Sequence, residues 1–463
     1  GPARSAGVTR GGRRTRDGRY RGATLGVGPG CRARLAVVPV SEWFERSGVR
    51  WRVAPGQTVA DVLTIAELAV RRARGGSLQN LKGGRRKRLF FFDAPDGRRY
   101  VLKSNLYEGA DQWRRRLTGS KSRQELDLAL GVADLGIPTP VPLAIGEERR
   151  GGLLVGCWGL VPWLTDAVDL RAGVRDGLFT PAQRRRLAGP FGAFVARLQD
   201  AGIDQDDFSP NNFMVRFGSG PESPAMEFWA IDFERAKIRR TVSATRRAEH
   251  LAKLARELTR VSDSERMRFL RGYAGDRARE WWSTIAAAGV ERFRSDLKRM
   301  RRTALGRGRR FAPISGEGWR GHARGHPELV PRPADLAATP EKPTRQEGLL
   351  YVPLGAEAQP DHWVVANLLY LRELAPEPLA YWRGEDGGGL VYGFGDEFRL
   401  ASAEPGPGER FALRVLRGHL TALAAGQPPR VPGPYAVARG PDGQLRAFCL
   451  DPRELASTGL GAG

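Results

Sequence analysis

Histidine is nearly absent from this 463-residue chain: there are five, the first at His250. The first half therefore cannot run histidine-based acid–base chemistry. Only three cysteines occur, Cys31, Cys157 and Cys449. Their wide spacing and odd number exclude a disulfide framework and a zinc site, and fit a reduced, cytosolic setting. No run of about 18 apolar residues exists, which excludes an ordinary transmembrane helix. Lysine is scarce too, with 8 against 67 arginines. What is abundant is positive charge: 75 Lys+Arg against 51 Asp+Glu, a formal +24. With 59 Gly and 32 Pro, part of that arginine excess has the look of a GC-rich coding bias. Its distribution does not. Residues 1–122 carry a net +18, residues 123–310 a net +9 and residues 311–463 a net −3. A basic front half suits anionic partners.

Residues 1–34 hold one acidic residue, Asp17, and read as a flexible basic tail. Helical periodicity runs from Asp61 to Arg74 and stops at Gly75-Gly76. Two strand-like runs, Arg88 to Asp93 and Arg98 to Lys103, flank an Ala-Pro-Asp-Gly turn, a hairpin signal. A helix is expected from Ser120 to Leu135, then a hairpin-like region from Leu143 to Trp163. Thr180-Pro181-Ala182-Gln183 is a helix start with a capping-box residue in place. Several basic helices are expected over 243–303. The Gly/Pro/Arg-rich stretch 306–347, without periodicity, reads as a linker.

Four separated features carry chemistry when taken in order. Lys103 ends a strand in Y-V-L-K, and Glu125 lies on the next helix in S-R-Q-E-L. Asp207 and Asn212 stand five apart in D-F-S-P-N-N, and Asp232 closes an apolar strand in W-A-I-D-F-E. Phosphoryl transfer from ATP needs these types in this order. A strand lysine holds the α/β-phosphates and is oriented by a helix glutamate. A loop aspartate accepts the hydroxyl proton, while an asparagine on that loop and a later aspartate bind Mg²⁺.

These residues resemble the lipopolysaccharide-core kinase family (Kdo/WaaP-like), a branch of the protein-kinase-like fold. The resemblance is carried by V-L-K at 101–103, S-R-Q-E-L-D-L-A-L at 122–130, L-G-I-P-T-P-V-P-L-A at 135–144, D-F-S-P-N-N-F at 207–213 and A-I-D-F-E-R-A at 230–236. It continues into R-R-A-E-H-L-A-K-L at 246–254. It implies an α+β, bilobal fold with ATP in the cleft and Lys103, Glu125 and Asp207 as catalytic residues. Asn212 and Asp232 would be the Mg²⁺ ligands. Gly83 and Gly84 would approach the phosphates, and Leu160 and Val161, within a hinge from Gly159 to Trp163, the adenine. Two departures stand out: Gln205 replaces a common histidine two residues before Asp207, and Asp206 replaces the usual arginine.

Residues 376–391 echo 140–155 without gaps, and C-L-D-P at 449–452 echoes A-I-D-F at 230–233. In that alignment Leu354 replaces the lysine, and Pro429 and Pro434 replace Asp207 and Asn212. The fold class expected is therefore α+β: a kinase-like fold followed by a second, truncated and degenerate kinase-like domain. The expected boundaries are a catalytic domain over 35–305 with its N-lobe ending near 157, the linker, and the degenerate domain over 348–463.

The expected function is ATP- and Mg²⁺-dependent phosphorylation of a sugar hydroxyl, Kdo or heptose, on a membrane glycolipid, the lipopolysaccharide core. The expected location is the cytoplasmic side, peripheral at the anionic inner face of the inner membrane, with nucleic acid not a partner. The alternatives are a soluble small-molecule or protein kinase, and an inactive basic binding module for membrane or nucleic acid.

Overall fold

The computed structural model describes residues 42–84, 86–218, 226–258, 261–306, 308, 310–316, 318–325, 342–346, 348–385, 387–401, 404–423, 434–440, 444–453 and 455. The expected basic tail lies outside them. Strands β1 (Trp43–Arg46) and β2 (Val49–Val53) precede helix α1 (Val59–Arg74). Then come β3 (Asn80–Gly83), β4 (Lys87–Asp93) and β5 (Arg99–Leu106). Helices α2 (Ala110–Thr118) and α3 (Lys121–Asp134) lead into β6 (Ala144–Arg150) and β7 (Leu153–Pro162). The strands form one sheet in the order β1-β2-β6-β7-β5-β4-β3. Phe90, Phe92 and Leu102, alternate positions on β4 and β5, bury one face with Trp51 against Leu63, Ala66 and Val70 of α1. The N-lobe expected to end near 157 in fact runs further. Cys157 is fully buried inside β7, because the strand stays paired with β5 as far as Pro162.

Strand β8 (Val168–Asp169), α4 (Leu170–Arg175) and α5 (Pro181–Asp200) begin a mainly helical layer. The Thr180–Gln183 capping box forms as expected. Short β9 (Ile203–Gln205), β10 (Phe213–Phe217), β11 (Met226–Ala230) and β12 (Ala236–Ile238) flank the loop of Asp207 and Asn212 and the turn of Asp232. Helices α6 (Ala244–Glu257), α7 (Asp263–Ala274) and α8 (Ala278–Ala304) fill out the layer. Helices α5 and α7 cross so closely that a Cβ on Gly192 would lie 2.0 Å from the Phe269 carbonyl oxygen. Only glycine fits there.

The stretch 306–347, expected as a linker, contains β13 (Phe311–Gly316), β14 (Trp319–Arg324) and β15 (Thr344–Gln346). Its glycines resemble loop punctuation but serve packing: Gly321 is needed because the Tyr381 carbonyl passes 1.9 Å from where a Cβ would sit. Next come β16 (Leu349–Pro353), α9 (Pro360–Tyr370), β17 (Pro378–Gly384) and β18 (Gly387–Gly393). The remaining described elements are β19 (Phe398–Leu400), α10 (Pro407–Leu423), β20 (Tyr435–Arg439) and β21 (Leu445–Cys449).

The second sheet runs β13-β14-β17-β18-β16-β15, which repeats β1-β2-β6-β7-β5-β4. The small sheet β11-β10-β8 is likewise matched by β21-β20-β19, with a helix after β8 and after β19. Single hydrogen bonds recur as well. Ala230 N–H donates to Pro138 and Ile231 N–H to the Asn212 carbonyl; Cys449 N–H donates to Leu374 and Leu450 N–H to the Pro434 carbonyl. Pairing also corrects one equivalence. Lys103 faces Gly159 and Ala144 faces Leu160, as Val352 faces Leu390 and Ala380 faces Val391. Val352, not Leu354, occupies the lysine's place, because the second hairpin is shorter than a gapless alignment requires.

Candidate active site

Lys103 lies on β5, the strand beside β7, and its ammonium donates to Glu125 Oε1 from α3. Helix α3 starts where it does because the Ser120 side chain caps the Arg123 N–H. Burial opposes the charge on Lys103, but the carboxylates of Glu125, Asp232 and Glu234 outweigh it and hold the ammonium's pKa above the ordinary lysine value. The two residues nominated from sequence order thus meet in the structure.

Asp207 and Asn212 share one loop. Asn212 Nδ2 donates to the Asp207 carbonyl at 2.7 Å, and its own carbonyl receives the Ile231 N–H at 2.9 Å. That latch brings Asp232 up to the Asp207–Asn212 loop. Asp232 itself adopts a left-handed backbone, φ 60° and ψ 64°, a conformation that a non-glycine residue holds only where its surroundings impose it. Gln205 accounts for part of this. Its Nε2 donates to the Ile231 and Asp232 carbonyls at 3.3 and 3.0 Å. At the position where a histidine is common, an amide thus ties the loop to the Asp232 turn.

Asp206, standing where an arginine was expected, is paired with Arg246 of α6. Arg246 also holds Asp204, whose other oxygen takes Arg239 at 2.6 Å. Beneath them His250 stacks flat on Phe208, 4.8 Å between centroids, with Nδ1 3.3 Å from Gln199 Nε2. Burial, reinforced by Arg246, pushes the His250 pKa down to about 4. The folded pKa lies below the unfolded value near 6.5, so the neutral imidazole's contribution is complete above pH 6.5 and is lost as pH falls toward 4. Denaturant titrations should show stability falling by about 3 kcal/mol over that window from this group. A His250→Gln variant should lack that part of the slope.

Gly83 and Gly84 stand at the turn between β3 and β4, and nothing lies within 4 Å of where a Cβ on Gly84 would be. Just past the turn, Lys87 Nζ lies 3.7 Å from Asp232 and 3.4 Å from Glu234. Glu234 also pairs with Lys121, and the two lysines outweigh burial to lower its pKa. Leu160 and Val161 are buried inside β7, where the Leu160 carbonyl accepts from the Leu143 N–H. The chain leaves the sheet after Trp163, whose N–H bonds the Arg99 carbonyl.

Sequence reasoning missed Lys253. From α6 its ammonium donates to Asp207 Oδ1. Scarcity was the available signal: of eight lysines in the chain, Lys87, Lys103, Lys121 and Lys253 all converge on Glu125, Asp207, Asp232 and Glu234. An ordinary arginine-rich surface would not concentrate the rarer cation here.

The oxygen donors suit a hard cation. The Asp232 carboxylate is 37% exposed, and Asn212 spends its Nδ2 on Asp207, leaving Oδ1 as an acceptor. Among the described residues no group of three or more His, Cys, Asp or Glu could hold a metal alone. Two such donors fit Mg²⁺, which keeps waters and takes phosphate oxygens.

The model of the lipopolysaccharide kinase (Kdo/WaaP) family matches residues 73–273. This stretch is similar to that family. The Kdo/WaaP match takes in Lys103, Glu125, Asp207, Asn212, Asp232 and Lys253, and it makes the protein a phosphotransferase. No curated protein matches the chain. Among solved structures, WaaP in complex with acyl carrier protein is 20% identical, covering 47% of this chain and 88% of that one at a TM-score of 0.34. A Rio2 kinase–ADP/Mg²⁺–phosphoaspartate complex from Chaetomium thermophilum is 16% identical, covering 56% and 84% at 0.31. Amicoumacin kinase hAmiN with AMP-PNP, Ca²⁺ and Ami is 12% identical, covering 52% and 88% at 0.34. No helix among the described residues is long and apolar enough to cross a membrane.

Proposed function

We propose that the protein transfers the γ-phosphoryl group of ATP to a sugar hydroxyl of a membrane glycolipid, the lipopolysaccharide core. The observation that carries this reading is the convergence of Lys103–Glu125 with the Asp207–Asn212 loop and Asp232 inside the Kdo/WaaP-matched segment. Lys103, oriented by Glu125, would bind the α/β-phosphates. Asp207 would align the acceptor hydroxyl and take its proton. Mg²⁺, held by Asn212 and Asp232, would neutralise charge on the phosphates. Gly83 and Gly84 leave room for the phosphates to approach the backbone. The backbone groups of Leu160 and Val161 lie between strands, so we place adenine contact at the chain leaving β7, around Trp163.

Lys253 would hold Asp207 in position and offer positive charge beside the transferring group. Lys253→Ala should lower kcat about 10²-fold with little change in KM for ATP. Steady-state kinetics on wild type, Lys253→Ala and Lys253→Arg check this. Partial rescue by arginine is expected.

The segment from β13 onward we read as a degenerate kinase-like domain that transfers no phosphate. Val352 supplies no amine, and Asp451, the counterpart of Asp232, is occupied by Arg453, whose Nε donates to both carboxylate oxygens at 3.0 and 2.8 Å. An arginine fork on that carboxylate leaves it no role as a metal ligand. The basic front of the chain would hold the protein at the anionic inner face of the inner membrane, each basic residue there adding about 1 kcal/mol.

The deciding experiment incubates purified lipopolysaccharide with the protein and Mg-ATP and follows the core by mass spectrometry, with Asp207→Ala as control. Phosphate gained with wild type alone is the expected result. ATP consumption with an unchanged core would retain the kinase and overturn the substrate.

A further inference from the structure

A cavity of about 390 Å³ lies where the helical layer meets the second sheet, and arginine dominates its wall. Arg171, Arg256, Arg299, Arg310, Arg324 and Arg372 line it. The carboxylates there do not balance them. Asp296 is shared among Arg256, Arg299 and Arg372 at 2.8, 2.7 and 3.0 Å. Glu257 accepts from the Ser209 hydroxyl at 2.6 Å and from Arg256 at 3.1 Å, with Arg171 only 3.8 Å away. Glu373 also lines the cavity and pairs at 2.9 Å with Arg175, which lies outside it. Arg310 has no ion pair or side-chain hydrogen bond with any described residue.

Two further observations indicate an unmet need for an anion. Arg372 is 6% exposed and its Nε has no hydrogen-bond partner; the buried Nε of Arg171 has none either. Burial lowers the Arg372 pKa to about 10, with Arg256 and Arg292 adding to the push against Asp296. Leaving buried guanidinium donors unpaired is costly, and an oxyanion whose geometry matches the fork would satisfy them.

We propose that this cavity binds a phosphate-bearing anion at a site separate from the nucleotide cleft. Arg372, Arg171 and Arg310 hold the phosphate oxygens. The site adjoins the catalytic loop through one residue, since an anion here competes with Glu257 for Arg171 and Arg256 while Glu257 holds Ser209, two residues from Asp207. The phosphate could belong to a sugar phosphate or to free polyphosphate, and the test separates these sources.

Calorimetric titration of the full chain with inorganic pyrophosphate, without divalent metal, should find a site. The Arg310→Ala/Arg171→Gln pair should weaken it at least about tenfold, since each removed charge-assisted bond contributes on that scale. Lys103→Ala should leave it within about twofold. Arg310 is exposed and Arg171 half-buried, so the double variant should keep its thermal midpoint, which is measured alongside. Repeating the titration with glucose 1-phosphate separates the sources: comparable binding assigns the site to a sugar phosphate, much weaker binding to polyphosphate. Absence of binding below ~1 mM pyrophosphate would overturn the proposal. So would binding lost in Lys103→Ala but kept in the double variant.

Discussion

Asp207→Ala should lower phosphoryl transfer by about 10²–10⁴-fold, the range general base catalysis contributes. The fold should survive. The Asp207 side chain is 55% exposed and its only ion-pair partner among the described residues is Lys253. Its backbone carbonyl, which accepts from Asn212, is untouched by the substitution. Stability should therefore fall by no more than about 1–2 kcal/mol, most of it from Lys253, 12% exposed, losing its partner. Turnover with Mg-ATP and an acceptor, measured beside the thermal midpoint, separates chemistry from folding. Full activity in this variant would remove Asp207 from the mechanism. Loss of the thermal transition would show that the loop has a structural task beyond the Lys253 pair.

The second large effect concerns stability. Asp296 of α8 is 5% exposed and is the one carboxylate among the described residues that bonds Arg256, Arg299 and Arg372. Arg372 follows α9, whereas Arg256 belongs to α6, so this single side chain joins the helical layer to the second sheet. Asp296→Ala would leave Arg372 buried without its counter-charge and Arg256 with Glu257 alone, at a cost of about 3–5 kcal/mol. Asp296→Asn should recover part of that through hydrogen bonding alone. Chemical denaturation should show the midpoint falling in the order wild type, Asn, Ala. Equal stability of all three would mean that the apolar contacts of Phe293, Leu297 and Ala304 with Trp363 and Leu368 suffice to hold the two parts together.

Features that depend on neighbours along the chain are legible in the sequence alone. Thr180 and Gln183 announce their helix because a capping box is closed within one turn. The β4–β5 hairpin follows from alternating aromatics around Pro95-Asp96-Gly97. Lys103, Glu125, Asp207, Asn212 and Asp232 can be nominated because the chemistry demands their types in that order. Gln205 stands out as a departure, yet its bonds to two carbonyls 26 and 27 residues away lie beyond sequence reasoning. Lys253 escapes for the same reason: it is the lone lysine of α6, but only the fold brings it against Asp207, 46 residues away in the chain.

By itself the sequence determined the α3 helix, the β4–β5 hairpin and the Thr180 helix start, and it nominated residues suited to phosphate, all of which rest on local periodicity and side-chain chemistry. Only the tertiary structure decided that 311–324 forms strands rather than a linker, because Gly321 is required by a carbonyl of β17 that no local pattern reveals. The pairing of Val352 with Leu390, the Lys253–Asp207 contact and the arginine-lined cavity are likewise decided there. Strand register and long-range charge pairing depend on which surfaces meet, and a chain read in one dimension does not specify those meetings.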